Sequence, residues 1–259
     1  MRKSISLTCL RRPFRQGLEW AARAGAQGVE FDGRYDIPIH DLSTTGVRQI
    51  RKWLADCRLQ IACLSFPTRR GLYVSDDLDR RLEAIRKAML ASSSLGCGNV
   101  SLRLNGWPSE SSDEMATLKS ALSELTAYSL RAGAWIQLRI GPEPITAVRK
   151  LLDMMPEEAL GIDFDPAELL IHGQDPTAAA TELSRMIHHV RVRDAVRRSQ
   201  FGRGTEVQLG RGEIDYAHLL GTLEENRYRG YFTVGNAHSE NDPLLEAQQA
   251  LEYLDHISA

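Results

Sequence analysis

The 259-residue chain lacks most of the features that would mark a specialised class of protein. Its four cysteines, Cys9, Cys57, Cys63 and Cys97, are scattered without a CxxC pair, which argues against a disulfide framework and suits reduced thiols in the cytoplasm. No stretch approaches the roughly 20 apolar residues that cross a bilayer. The opening MRKSISLTCLRRPF starts basic, but its apolar part is too short and too interrupted for a signal peptide. Charge of one sign is also missing: 32 Lys and Arg against 34 Asp and Glu leave a net charge of −2, mixed along the chain, so neither nucleic acid nor an anionic membrane is an expected partner. No Pro/Ser/Gly-rich linker and no low-complexity segment divides the sequence. One soluble, cytoplasmic domain over 1–259 is the expectation, with enough length to bury a sizeable core.

What is present is a regular alternation. Short β-rich runs fall at 3–8, 27–31, 59–65, 99–104, 134–140, 160–164, 187–193 and 230–234. Between them helical patterns fall near 14–24, 44–56, 77–96, 112–132, 143–155, 176–186, 215–226 and 243–257. The helix at 77–96 shows i, i+3, i+4 spacing through Leu78, Leu82, Ile85, Met89 and Leu90. Asp215 and Asp175-Pro176 signal helix starts, and Gly25, Gly96 and Gly133 sit where helices hand over to strands. Eight strands each followed by a helix predict a parallel sheet, and the count favours closure into a single (β/α)₈ TIM barrel over a doubly wound open sheet. The longest connection, around 195–214, follows the seventh strand and is rich in Gly and Arg.

Five stretches carry a resemblance: AGAQGVEFDGR at 24–34, LGIDFDPAELLIHG at 160–173, IHHVRVRDA at 187–195, LGRGEIDY at 209–216 and RGYFTVGN at 229–236. With the helices between them, the chain resembles the xylose isomerase-like TIM barrels, a superfamily of sugar isomerases, sugar-phosphate epimerases and endonuclease IV-type enzymes. The resemblance implies a sugar or sugar-phosphate isomerase/epimerase-like function and a small sugar or sugar-phosphate ligand. It also implies a divalent metal such as Mn or Mg, held by Glu, Asp, His and Glu at the carboxyl ends of strands five to eight. There the metal stabilises an enediolate while a carboxylate moves the proton. A nuclease would need many more His and carboxylate ligands than this chain supplies.

Carried over position by position, the metal set fails. The strand-five glutamate position is Arg139, the strand-six aspartate is kept as Asp165, the histidine position is Arg191 and the final glutamate position is Gly235. A guanidinium keeps its proton and offers no lone pair to a metal. The cofactor implied by the family is therefore expected to be absent, and catalysis dependent on it doubtful.

Strand alternation places Glu30 and Asp32, Arg103 and Asn105, Gln137 and Arg139, Asp163 and Asp165, and Arg191 and Arg193 on the barrel-facing side. Asp165 is expected to pair with Arg139, Arg191 or both. Two readings of these residues stay open: a closed ion network that only fills the barrel mouth, and a site for a phosphate or carboxylate gripped by Arg103, Arg139, Arg191 and Arg193. The second turns on whether Glu30, Asp32, Asp163 and Asp165 neutralise all four arginines. An active metal-dependent enzyme with misplaced ligands is a further alternative. Trp107 and Phe66 could wall a sugar ring or simply pack their loops. His189 is expected to be a satisfied core histidine and His172 a solvated loop residue, while His238 follows strand eight. The sequence leaves a homo-oligomer open as well as a single chain.

Overall fold

In the computed structural model, which describes residues 1–155, 160–197, 203–235 and 242–258, eight parallel strands close into a barrel. They are β1 (Arg2–Ser6), β2 (Gly28–Asp32), β3 (Gln60–Ser65), β4 (Asn99–Arg103), β5 (Trp135–Arg139), β6 (Leu160–Phe164), β7 (Ile187–Val192) and β10 (Tyr231–Val234), paired in that order around the ring. The larger helices α2 (Phe14–Arg23), α3 (Thr44–Asp56), α4 (Leu78–Leu95), α5 (Asp113–Ala132), α6 (Ile145–Asp153), α8 (Pro176–Leu183), α9 (Tyr216–Glu225) and α10 (Pro243–Ile257) stand where the periodicity predicts. Their ends follow from side chains: Ser43, Ser112, Asp175, Asp215 and Asp242 each accept a backbone N–H at a helix start. The (β/α)₈ expectation holds.

The two sides of each strand do different work. Ile5, Val29, Phe31, Leu64, Val100, Leu102, Ile136, Leu138, Ile162, Phe164, Val190, Val192 and Val234 are buried and form, with the helices, one apolar core. The other side of the wall is polar: Ser4, Ser6, Glu30, Cys63, Ser101, Gln137, Asp163, His189, Arg191 and Thr233 are buried too. Barrel interiors are more often layered with bulky aliphatic residues. Two register shifts prepare the polar side. One, between Val29 and Glu30, brings Glu30 opposite Cys63; the other, between Ile162 and Asp163, brings Asp163 opposite His189. A bulge inserts one residue and re-aims those that follow.

Besides a 3₁₀ turn at Ile39–Asp41, four elements lie outside the sequence reading: α1 (Leu7–Leu10), α7 (Pro166–Ile171), and an antiparallel hairpin of β8 (Asp194–Val196) with β9 (Thr205–Val207). All are too short for a periodic pattern to register. Asp194 fixes the hairpin and the turn after it. Its buried carboxylate accepts from Ala195 N at 2.9 Å, Gly210 N at 3.0 Å, Gly212 N at 2.8 Å and Ile214 N at 3.3 Å. A Cβ at Gly212 would lie 1.9 Å from Asp194 Oδ1, so that turn position requires glycine.

Asp194→Ala is expected to leave the buried Ala195 donor unpaired, at about 1–3 kcal/mol, and to release the more accessible donors of Gly210, Gly212 and Ile214 to water. Urea unfolding should show a loss of about 1–3 kcal/mol, with hydrogen exchange speeding up across 205–214. Unchanged exchange there would contradict the assignment.

Candidate functional site

Asp163 lies at the centre of the polar interior. Its Oδ2 accepts from Ser101 Oγ at 2.5 Å, Arg139 Nε at 3.0 Å and Arg191 Nε at 2.9 Å, while Oδ1 meets His189 Nδ1 at 2.8 Å. Register explains the convergence, because Arg139 pairs with Asp163 across β5 and β6 and His189 pairs with it across β6 and β7. Arg191 reaches on to β2, where Nη1 and Nη2 hold the two oxygens of Glu30 at 2.9 and 2.5 Å, and Ser6 Oγ adds a donor at 3.3 Å. His189 Nε2 meets Thr233 Oγ1 at 2.6 Å, and that hydroxyl in turn bonds Ser4 Oγ.

Burial and charge act against each other here. Burial raises the Asp163 carboxyl, but Arg139, His189 and the hydrogen bonds outweigh it and hold the group below its ordinary range. Burial lowers His189, yet the Asp163 carboxylate more than compensates and the imidazole is shifted upward. Burial raises Glu30, against the opposing pull of Arg139 and His189. A carboxylate held ionised in this way is poorly suited to proton transfer near neutral pH.

The expected partner of Asp165 needs correction. Arg139 and Arg191 meet Asp163, one strand step deeper, and Asp165 pairs with Arg193 Nη1 at 2.6 Å. Asp165 lies just past the end of β6, where its Oδ1 accepts Glu168 N at 3.1 Å and starts α7. Two residues separate the positions, about 6.6 Å of strand, and that offset changes the arginines within reach. Arg193 likewise lies just past β7, and its Nε and Nη2 hold Glu206 of β9 at 3.0 and 2.5 Å.

The remaining candidates scatter. Arg103 is half-exposed and reaches Glu168 at 3.6 Å. Asp32 turns to its own loop, accepting from Arg34 N and Tyr35 N. Asn105 adopts φ 59° and donates to Thr68 O at 3.0 Å. Trp107 borders a groove with Met115, Lys119, Lys150 and Met154 on the helical shell, away from the arginines. Phe66 is buried, with the Arg34 guanidinium 4.2 Å from its ring centroid. His189 is the satisfied core histidine expected. His172 ends α7, with Nδ1 2.8 Å from Glu168 O. His238 lies outside the described residues. Gly235 borders a cavity of about 40 Å³ beside Cys9, Arg193 and Glu206, and a Cβ there would lie 2.8 Å from Cys9 Sγ and 2.9 Å from Ser6 Cβ.

Glu168, Glu206 and Glu143 were not singled out in the sequence. Asp165-Pro-Ala-Glu168 is a helix-start pattern that pointed to the first; nothing local pointed to the other two. Arg103, Asn105, Arg139, Glu143, Glu168 and His172 border a cleft of about 120 Å³ at the carboxyl ends of β4 and β5. Among the described residues, Glu30, Cys63 and His189 also bring ligand-type atoms within 4.8 Å of one another. Arg191 already holds both Glu30 oxygens, His189 has a partner at each nitrogen, and burial raises the Cys63 thiol well above its ordinary value.

Asp163→Asn removes the charge shared by two buried guanidinium groups, and breaking such a pair costs about 3–5 kcal/mol. Denaturant unfolding should show a smaller loss for Asp165→Asn, whose amide oxygen still caps α7 and whose partner Arg193 keeps Glu206. Equal losses would contradict the assigned centre. A second expectation concerns pH. His189 is raised in the folded chain, so its contribution is fully present below about pH 6.5, the unfolded value. It is lost as pH rises through the folded value, and Glu30, also raised, acts in the same direction at its own titration. Stability measured from pH 6 to 9 should fall, and His189→Asn should flatten the slope while lowering overall stability.

The comparisons agree with this architecture. A family model described as xylose isomerase-like TIM barrel matches residues 18–257. An inosose dehydratase of Clostridium perfringens is 24% identical over 158 residues, covering 54% of this chain and 52% of that protein, so the chain spans about half the length of the curated relatives it matches. A xylose isomerase domain protein from Planctomyces limnophilus superposes with a TM-score of 0.86 at 20% identity, covering 99% of this chain and 96% of that one. An L-ribulose 3-epimerase gives 0.80 at 16% identity, covering 99% and 94%. At such identities the solved structures speak for the fold alone, whereas the family model runs from α2 to α10: the chain belongs to the xylose isomerase-like TIM barrel family.

Proposed function

We propose that this is a sugar isomerase/epimerase-like barrel that binds a small carbohydrate-like ligand bearing an anionic group at its carboxyl face. In it, fixed guanidinium groups stand where relatives would hold a divalent metal. The observation that carries the reading is the convergence of Arg139 Nε and Arg191 Nε on Asp163, with Arg191 also gripping Glu30. These contacts neutralise the interior carboxylates without a metal ion.

The residues at the family's metal positions do not fit a metal. Arg139 and Arg191 have no lone pair to give, Gly235 has no side chain, and Asp165 is engaged by Glu168 N and Arg193. A hard cation wants several oxygen ligands, and one shared carboxylate does not supply them. Packing of Cys9 and Ser6 against Gly235 also leaves little room for a glutamate there. The named relatives support a carbohydrate-like ligand: they are named for inosose and for L-ribulose.

A closed, ligand-free mouth is the second reading, and one observation favours it. Arg103, Arg139, Arg191 and Arg193 each have a carboxylate partner among Glu30, Asp163, Asp165, Glu168 and Glu206. An excess of arginine over carboxylate does not arise among the described residues. Anion binding on the first reading therefore depends on local guanidinium edges rather than on overall potential.

Two measurements test the proposal. Elemental analysis after incubation with manganese and desalting should find far less than one ion per chain, and Gly235→Glu alone should destabilise the protein without raising that content. Stoichiometric manganese lost on Asp165→Asn would overturn the metal-free reading. Thermal shift at low salt should then detect at least one sugar acid or sugar phosphate. No response from any would favour the closed mouth.

A further inference from the structure

The cleft at the ends of β4 and β5 differs from the saturated interior behind it. Arg139 takes part in both. Among the described residues its Nε alone has a hydrogen-bond partner, Asp163 Oδ2, and that oxygen also serves Arg191 and Ser101. Arg139 is held by the nearby Asp163, Glu30 and Asp165 charges, yet its terminal nitrogens have no hydrogen-bond partner among the described residues, and it borders the cleft. Arg103, half-exposed, adds a second guanidinium whose carboxylate partner stands at a loose 3.6 Å. The rim is a tight turn: Asn105 at φ 59° is followed by Gly106 at φ 128°, with Tyr73 OH donating to Asn105 O at 2.9 Å. Asn and Gly adopt such backbone readily, so the turn forms at little cost.

Two carboxylates complete the lining. Glu143 is buried and accepts Gly141 N at 2.7 Å, and Glu168 lies between Arg103 and Arg193. His172 Nδ1 lies on the Glu168 carbonyl, which leaves Nε2 as the ring's acceptor when the imidazole is neutral. The cleft thus offers guanidinium donors beside carboxylate and imidazole acceptors. A ligand that satisfies both has an anionic end and adjacent hydroxyl groups.

We infer that the cleft bordered by Arg103, Arg139, Glu143, Glu168 and His172 binds the carboxylate end of a hydroxy acid or sugar acid, in preference to a sugar phosphate. This rests on the ligand-binding reading above and sharpens it. Charge decides between the two anions. Two guanidinium groups and two carboxylates leave the cleft near electrical balance, so the second charge of a phosphate near its dianionic form gains little attraction there while costing more to take out of water. A planar carboxylate also matches a guanidinium fork by two parallel hydrogen bonds. Size permits this: the cleft's 120 Å³ is well above the roughly 10–15 Å³ that admits a single water.

Calorimetry at low salt with gluconate, glucose 6-phosphate and glucose tests this on the full chain. Gluconate should bind at least tenfold more tightly than glucose 6-phosphate, with glucose weakest. Arg103→Ala should weaken gluconate at least fivefold with little change in melting temperature, because Arg103 is half-exposed and loosely paired. Arg103→Lys, which keeps the charge but loses the fork, should recover only part of the affinity. Tighter binding of glucose 6-phosphate, or gluconate binding indifferent to Arg103→Ala, would overturn the inference and leave the ligand-binding reading intact. Absence of binding by either anion would overturn both.

Discussion

One carboxylate governs the inside of this barrel. Asp163 accepts hydrogen bonds from two guanidinium groups, a serine and a histidine, and through Arg191 it is joined to Glu30 on the other side of the barrel. Bare charges at this depth would be prohibitive, and each arginine is tolerable only because a carboxylate stands within about 3 Å of it. The serines and threonine follow from the same constraint. Ser101, Ser6, Thr233 and Ser4 fill acceptor and donor positions that aliphatic side chains would leave unmet. Because the network is joined, its members specify one another's rotamers.

Such an interior contributes little stability of its own, since desolvating ion pairs offsets most of their attraction. Stability has to come from the outer layer. There the helix-facing sides of all eight barrel strands pack into one apolar cluster with the helices. The division of labour lets the polar side vary without loss of the fold. It also makes sense of the comparisons, in which the architecture persists at 20% identity or less.

Legibility followed the same division. Helix-facing residues recur with a fixed period, and the strands and larger helices could be read from that alone; α3 and α10 match residue for residue. The inward side was legible in composition but not in pairing. That Arg139, Asp163 and Arg191 face inward follows from alternation; that Asp163 rather than Asp165 receives the arginines depends on register across three strands. The bulge before Asp163 belongs to that register and leaves no local mark in the sequence. Glu206 is harder still. It reaches Arg193 through a hairpin of three-residue strands, too short for any periodic signal. Glu168 could have been found, because its spacing from Asp165 is that of a helix start.

Replacing an exchangeable cation by guanidinium groups changes what a barrel mouth can recognise. A metal takes lone pairs from carbonyl and hydroxyl oxygens and polarises them, which is what enediolate chemistry requires. A guanidinium only donates hydrogen bonds, in a fixed plane and with diffuse charge, so it holds an anion well and activates a carbonyl weakly. Its charge also cannot be withdrawn, and Asp163, ionised beneath Arg139 and Arg191, is kept from acting as a base. On the proposed reading the substitutions at 139 and 191 therefore move the site from transforming a sugar toward holding one. The cleft beside Arg139 is where that shift is most visible, because there a network otherwise closed upon itself still has hydrogen-bond donors to spare.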